Sequence, residues 1–176
     1  MAHNVVLIRT PPVLPKTSIT AQQGVPSLAL AYLGAAIKAE GFNVEYIDAL
    51  GEKFGKFSDF GVEGLLSAGL SYVEILERIS QDVNYIGVSC QFSNDWIFSK
   101  ILLKKIHAAF PNIPILVGGE HTTADFHTIF QECPFVTACI LGEGEETIAE
   151  LLNFLKLKKP ISEVSGIAYR AHGLVK

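Results

Sequence analysis

The sequence has no long apolar run and no cluster of basic residues. Its apolar stretches are well short of the roughly 20 residues that a helix needs to cross a bilayer, so we expect no membrane partner. Lysine and arginine number 14 against 18 aspartate and glutamate residues, which gives a net charge of −4. A mildly acidic chain without a basic surface does not favour nucleic acid as a partner.

Cysteine is also scarce, and the three cysteines are not spaced as ligands. Cys90, Cys133 and Cys139 form neither a CxxC pair nor the pattern of a zinc site. An odd number of cysteines is typical of a reducing compartment, so we expect a cytoplasmic protein. Each thiol is expected to be a small buried apolar side chain rather than a reactive group.

The short motifs of common nucleotide-binding and hydrolytic enzymes are absent as well. The chain has no GxxxxGK[ST] loop, no GxGxxG after its first apolar run, no GxSxG elbow and no HExxH pair. These absences exclude the P-loop and dinucleotide-binding classes. Flavin binding stays open, because Thr17, Ser18 and Thr20 could form a hydroxyl-rich phosphate loop, although prolines crowd them.

What the sequence does contain is a regular alternation of strand and helix patterns. Hydrophobic residues make up 49% of the 176 residues and charged residues 18%, which favours one compact domain with a sizeable core. Short apolar runs typical of buried parallel strands occur at 5–9, 44–48, 85–90, 113–117 and 136–141. A final strand is expected at 166–170.

Capping residues and apolar spacing predict where the helices begin. The first begins at Pro26 and Ser27, and its apolar repeat predicts a buried face made of Leu28, Ala31, Tyr32, Ala35 and Ala36. The later helices are expected to begin at Ser71, at a cap formed by Asn94 or Asp95, at Thr122 or Thr123, and at Glu145.

The alternation predicts an α/β fold, namely a flavodoxin-like, doubly wound parallel sheet of five strands in the order 2-1-3-4-5, with a short extra C-terminal strand. Residues 1–160 are expected to form the binding domain, and 161–176 to carry the extra strand. The prolines of 11–15 predict a loop after the first strand.

The segment 49–70 is rich in glycine and phenylalanine, and it predicts an irregular insertion. Phe54, Phe57 and Phe60 are expected to form a small satellite core there.

Two strand ends rich in glycine mark the expected ligand crevice. One carries Gly118 and Gly119, and the other carries Gly142 and Gly144. Glycine at the carboxyl end of a parallel strand allows a ligand to approach the backbone closely. The neighbouring acidic residues of 143–146 either favour the dipole of the helix that follows or, in the case of Glu143, accept hydrogen bonds from a ligand.

Taken in order, these motifs resemble the N-terminal domain of B12-binding radical SAM proteins. The residues that carry the resemblance are Arg9-Thr10-Pro11-Pro12 and the segments 24–33, 41–49, 86–90, 114–123, 141–147 and 164–170. This family includes proteins of the anaerobic magnesium-protoporphyrin monomethyl ester cyclase type and B12-dependent methyltransferases.

The resemblance implies a cobalamin-binding module, with the corrin over the carboxyl ends of the strands and the nucleotide tail beside the sheet. It implies no catalytic residue and no metal ligand in this chain. The implied cofactor contacts are Thr10, Pro12, Ser89, Gln91, Gly118, Gly119, His121, Gly142, Glu143 and Gly144. For His121, a polar residue near a helix N-terminus is the alternative interpretation.

Two family motifs are missing from the sequence. Without CxxxCxxC it cannot hold the iron–sulfur cluster of a radical SAM barrel, so the cluster and S-adenosylmethionine are expected in a further domain, in the same chain or a separate one. Without DxHxxG we expect no protein histidine on cobalt. The alternatives are a domain that has lost B12 and serves protein–protein contact, or a flavodoxin-type binder of flavin or nucleotide.

Overall fold

The computed structural model describes residues 2–18, 24–171 and 173–176, so Thr20 lies outside the described residues. The strands of this part are β1 Asn4–Arg9, β2 Val13–Pro15, β3 Asn43–Asp48, β4 Phe57–Ser58, β5 Leu65–Ala68, β6 Tyr85–Ser89, β7 Ile115–Gly118, β8 Ala138–Ile140, β9 Ile167–Ala171 and β10 Leu174–Val175. The helices are α1 Leu28–Ala39, α2 Tyr72–Arg78, α3 Trp96–Ala109, α4 Glu120–Glu132 and α5 Glu145–Lys156.

The main sheet has the strand order β3-β1-β6-β7-β8-β9-β10. Its first five strands are parallel, and they follow the expected order 2-1-3-4-5. The expectation of five strands and one short addition is wrong in number, because β9 and β10 extend the sheet to seven. Both added strands pair antiparallel, so the sheet is mixed.

Helices cover both faces of the sheet because its central strands are apolar on both sides. On β1, Val5 and Leu7 pack in one core with residues of α1 and α5. Val6 and Ile8 pack in the opposite core with residues of α2, α3 and α4. In the described residues, no helix is both long enough and apolar enough to cross a membrane.

The caps of α1 and α2 form as expected. Ser27 accepts a hydrogen bond from the Leu30 backbone, and Ser71 forms a reciprocal capping box with Glu74. Asp95 occupies the N-cap position of α3, as expected, but its side chain makes no capping hydrogen bond, because the carboxylate accepts from the Val13 backbone N–H at 2.7 Å instead. The fourth helix begins at Glu120, two or three residues before the expected start.

The buried face of α1 is not the one that the apolar repeat predicts. Leu28 is 70% exposed and Tyr32 63% exposed. The helix instead buries Leu30, Gly34 and Ile37 against the sheet. Both faces of α1 are apolar, so the periodicity alone could not select the phase of the helix.

The segment 49–70 is more regular than expected. It contributes β4 and β5, which form a three-stranded antiparallel sheet with β2 in the order β2-β5-β4. The prolines permit β2 because it is an edge strand and Pro15 is its last residue.

The satellite core expected in this segment is wrong for two of its three phenylalanines. Phe54 and Phe57 are exposed at 53% and 49%. Phe60 instead packs edge-on against Tyr72 and Phe98 of the main core.

Candidate functional site

A cavity of about 250 Å³ lies between the main sheet, α1 and α5, beside the carboxyl ends of the central parallel strands. Parallel strands end at the same edge of a sheet, and this is where α/β proteins of this topology hold ligands. The cavity has a deep wall and a mouth, and the two differ in chemistry.

The deep wall consists of Leu7, Gly87, Leu116 and Ile148. The first three are side by side on β1, β6 and β7, as the strand register shows. A Cβ atom at Gly87 would lie 2.8 Å from Leu7 Cδ2 and 4.0 Å from Ile148 Cδ1. A side chain at position 87 would therefore collide with Leu7, so glycine here allows Leu7 to pack over the strand.

The mouth is built by the residues at and after the carboxyl ends of β6, β7 and β8. Ser89 and Gly118 occupy paired positions on β6 and β7. A Cβ atom at Gly118 would meet only Ile140, at 3.8 Å, and one at Gly142 would meet nothing within 4 Å. The mouth is open because these two glycines leave space where side chains would otherwise project.

Of the ten residues that the family resemblance implies as contacts, seven line this cavity. They are Ser89, Gln91, Gly118, Gly119, Gly142, Glu143 and Gly144. The Ser89 hydroxyl makes no hydrogen bond within the described part of the chain, and Gln91 is exposed. Both side chains are therefore available to a ligand.

Thr10 and Pro12 do not line the cavity. The Thr10 hydroxyl is buried and donates to the Ser89 carbonyl at 3.2 Å. The Pro12 carbonyl accepts from the Ala68 N–H at 3.0 Å, which continues the pairing of β2 with β5 by one residue. Both residues bond to backbone groups near the site, and neither lines the cavity.

His121 is also outside the cavity. Its backbone N–H donates to the Gln91 carbonyl at 3.3 Å, and its Nδ1 lies 3.0 Å from Ser93 Oγ. The ring packs 5.2 Å from that of Trp96, and burial lowers the pKa of the imidazole. His121 therefore braces the 91–93 segment from behind the mouth.

The second glycine of the pair 118–119 has a backbone role. Gly119 has φ +111°, and a Cβ atom there would lie 2.5 Å from the Cys90 carbonyl oxygen. Two constraints thus require glycine at this position whether or not a ligand is present.

Four residues that line the cavity, Gly87, Leu30, Leu33 and Thr123, were not among the contacts expected from the sequence. Gly87 carries a readable signal, because an isolated glycine inside a strand pattern indicates close approach by another group. Leu30 and Leu33 were missed because the apolar repeat assigned the wrong face of α1. Thr123 links the two glycine ends by accepting from the Gly142 N–H at 2.9 Å, and only the structure reveals that contact.

The mouth is acidic in its side chains and positive in its backbone. Glu120, Glu143 and Glu145 line it, and no basic side chain of the described residues does. The N-terminus of α5 lies at this edge, and its backbone N–H groups favour a nearby anion. In the described residues no group of three or more His, Cys, Asp or Glu side chains is placed to hold a metal ion.

Residues 17–152 match the family model of the B12 binding domain. An uncharacterized methyltransferase of Pyrococcus horikoshii is 28% identical over 168 residues, which cover 93% of this chain and 33% of the relative. The anaerobic magnesium-protoporphyrin IX monomethyl ester cyclase of Synechocystis is 29% identical over 168 residues, covering 94% and 30%. The chain thus spans about a third of the length of these relatives.

Two solved structures share the fold. The cobalamin-dependent S-adenosylmethionine radical enzyme OxsB with aqua-cobalamin bound matches with a TM-score of 0.74 and 21% identity, over 99% of this chain and 22% of that one. The radical S-adenosylmethionine methyltransferase TsrM from Kitasatospora setae, with cobalamin and a [4Fe-4S] cluster, matches with a TM-score of 0.70 and 16% identity, over 99% and 28%.

Proposed function

The chain belongs to the B12-binding domain family, and we propose that it binds cobalamin with the nucleotide tail in the cavity beside the sheet. The corrin ring then covers the carboxyl ends of the parallel strands. The observation that carries the proposal is the glycine-lined cavity between the sheet, α1 and α5, which has an apolar deep wall and a polar mouth.

The size and chemistry of the cavity fit the tail and not the corrin. A volume of about 250 Å³ is at the small end of organic ligand sites, so it suits one planar bicyclic base. The base is largely apolar, as is the deep wall. The tail phosphate is an anion, which the N-terminus of α5 favours and the carboxylates of Glu143 and Glu145 oppose. A side chain at Gly87 would collide with Leu7 of the deep wall, and one at Gly118 would project into this volume.

Hydrogen bonds to the cofactor come from the mouth. The corrin carries amide side chains, which both donate and accept. The Ser89 hydroxyl, the Gln91 amide and the Glu143 carboxylate supply the matching groups. Thr10 and His121 contribute indirectly, because they hold the Ser89 carbonyl and the 91–93 segment in place.

Cobalt is held without a protein histidine in this proposal. No histidine of the described residues lines the cavity, and Nδ1 of His121 is engaged with Ser93. The bound cofactor would supply methyl-transfer or redox chemistry at cobalt. The residues of this chain bind and orient it, and none is assigned a catalytic role.

The partner of this module is a radical SAM domain, in the same chain or a separate one. The relatives named above are about three times as long as the part they share with this chain, and the TsrM structure contains a [4Fe-4S] cluster. We assign the cluster, S-adenosylmethionine and the choice of substrate to that further domain.

The test is retention of cobalamin by the purified chain. Mixing with hydroxocobalamin and removing free ligand should leave corrin absorption bands with the protein. A colourless protein would overturn the proposal in favour of a domain for protein contact, and a yellow protein as isolated would indicate flavin.

Gly118→Val supplies a matched substitution. A side chain at this position has room in the backbone but projects toward the cavity, so the variant should fold and lose retention. Ala109→Val, at the exposed end of α3, adds the same kind of group far from the cavity and should retain cobalamin. Equal retention by the two variants would show that the tail does not use the cavity.

A further inference from the structure

The polarity of the cavity changes with depth. The strand register places Leu7, Gly87 and Leu116 in one row, and Ser89 and Gly118 two residues nearer the carboxyl ends. Two residues of a strand span about 7 Å. The Ser89 hydroxyl at the mouth is therefore roughly this far from the deep wall.

The deep wall offers no hydrogen bond. Leu7, Leu116 and Ile148 are 2%, 1% and 3% exposed, and each is aliphatic. The backbone groups of β1, β6 and β7 in this row are engaged in the parallel ladder of the sheet. The polar side chains that line the cavity lie at or after strand ends or in the first turn of a helix, which places them at the mouth.

We propose that this cavity selects the lower base of the corrinoid, accepting dimethylbenzimidazole and discriminating against adenine. The inference rests on the proposed function and deepens it. The outer edge of dimethylbenzimidazole carries two methyl groups, whereas the corresponding edge of adenine carries ring nitrogens and an amino group. Only the methyl-bearing edge matches the deep wall.

The physical reason is that burial without a hydrogen-bond partner is costly for a polar group and favourable for a methyl group. An amino group or ring nitrogen placed against Leu7, Leu116 and Ile148 loses its water and gains no partner. The methyl groups lose only unfavourable hydration there. We therefore expect the adenine-containing corrinoid to bind at least about tenfold more weakly than cobalamin.

The experiment titrates the full chain with three cobalt-matched ligands: cobalamin, the same corrinoid with adenine as lower base, and cobinamide, which has no nucleotide tail. Dissociation constants come from the visible spectra or from calorimetry. We expect cobalamin to bind most tightly, and both other ligands to bind more weakly.

An isosteric pair of variants tests the deep wall itself. Ile148→Val and Ile148→Thr remove the same volume, but only the threonine variant adds a hydroxyl beside the base. The dissociation constant of the adenine corrinoid divided by that of cobalamin should stay high in the valine variant and fall in the threonine variant. Thermal melting of both variants controls for the loss of packing.

Each outcome is decisive, and the outcomes separate this inference from the proposed function. Equal binding of cobalamin and the adenine corrinoid, both tighter than cobinamide, overturns the selectivity and leaves the proposed function standing. Equal binding of cobinamide and cobalamin overturns the selectivity together with the placement of the tail. Absence of binding by all three overturns the selectivity and the proposed function together.

Discussion

The guanidinium of Arg9 bridges the carboxylate of Asp48 and the loop that precedes α1. Arg9 Nη1 lies 3.2 Å from Asp48 Oδ2 and donates to the Val25 carbonyl at 3.1 Å. The two charged side chains are 28% and 22% exposed, so water screens them only in part. The bridge therefore ties the start of α1, which covers the cavity, to the ends of β1 and β3.

Arg9→Met should loosen this attachment without emptying the core. Removal of one partly buried bridge to a charged group costs about 1–2 kcal/mol of unfolding free energy, and cobalamin retention should weaken several-fold because α1 lines the cavity. Lys16→Met is the control, because Lys16 forms a comparable pair with Asp59 at 2.9 Å that is 46% and 60% exposed. Urea unfolding and ligand titration of both variants measure the difference, and equal effects would contradict the assigned role of Arg9.

Gly118 and Gly119 are neighbours with opposite tolerance for a side chain. Gly119→Ala forces a Cβ atom to within 2.5 Å of the Cys90 carbonyl at φ +111°, so it should lower stability by about 2 kcal/mol or more. Gly118→Ala meets only an ordinary contact with Ile140 at 3.8 Å and should change stability by less than about 1 kcal/mol. Thermal melting without ligand tests this, and similar melting temperatures would show that Gly119 is not constrained.

Much of the fold was predictable because its signals are local. Apolar runs, Ser27, Ser71 and the glycine strand ends specify elements by short-range chemistry, and the alternation of strand and helix specifies the parallel order. The small antiparallel sheet was missed because β2 and β5 are stabilised by each other across some 50 residues of chain. The phase of α1 depends on which face meets the sheet, and no local signal encodes this.

The candidate site, like the fold, was predictable from the sequence only in part. Gly118, Gly142 and Gly144 all line the cavity, and their place after apolar strand runs marks it in the sequence. His121 is a polar residue that follows a glycine strand end, as a ligand contact would, but its ring lies behind the mouth and contacts Trp96. Whether a polar side chain at a strand end points into a crevice or away from it is a tertiary property that residue type does not determine.

The three cysteines should be inert in the folded protein. All three are buried, as expected from the sequence, and burial raises the pKa of Cys90 to about 12 and that of Cys133 to about 11, with Cys139 raised as well. Since the thiolate is the reactive form, an aromatic disulfide reagent should label no thiol in the native chain and three after denaturation. Rapid labelling of the native protein would contradict this, and adding cobalamin should not change the count.

Asp95 should make stability depend on pH in a direction opposite to that of most carboxylates. Burial raises its pKa from 3.8 to about 6, although the Val13 N–H bond lowers it in part. Because the folded state holds the proton more tightly, this residue's contribution is fully present below pH 3.8 and is lost as pH rises through about 6. Within that window the contribution of Asp95 to the free energy of unfolding falls by on the order of 1 kcal/mol per pH unit.

Asp95→Asn removes the titration and keeps an oxygen that can accept from the Val13 N–H. The variant should therefore gain stability relative to the native chain as pH rises from about 4 to 6, and the gain should stay constant above pH 6. The lowered pKa of His121 acts in the opposite direction, since its contribution is lost as pH falls below 6.5, but it is present in both proteins and cancels in the difference. Urea midpoints at pH 4.5 and pH 7.5 measure this, and a difference that does not change with pH would show that Asp95 ionises normally.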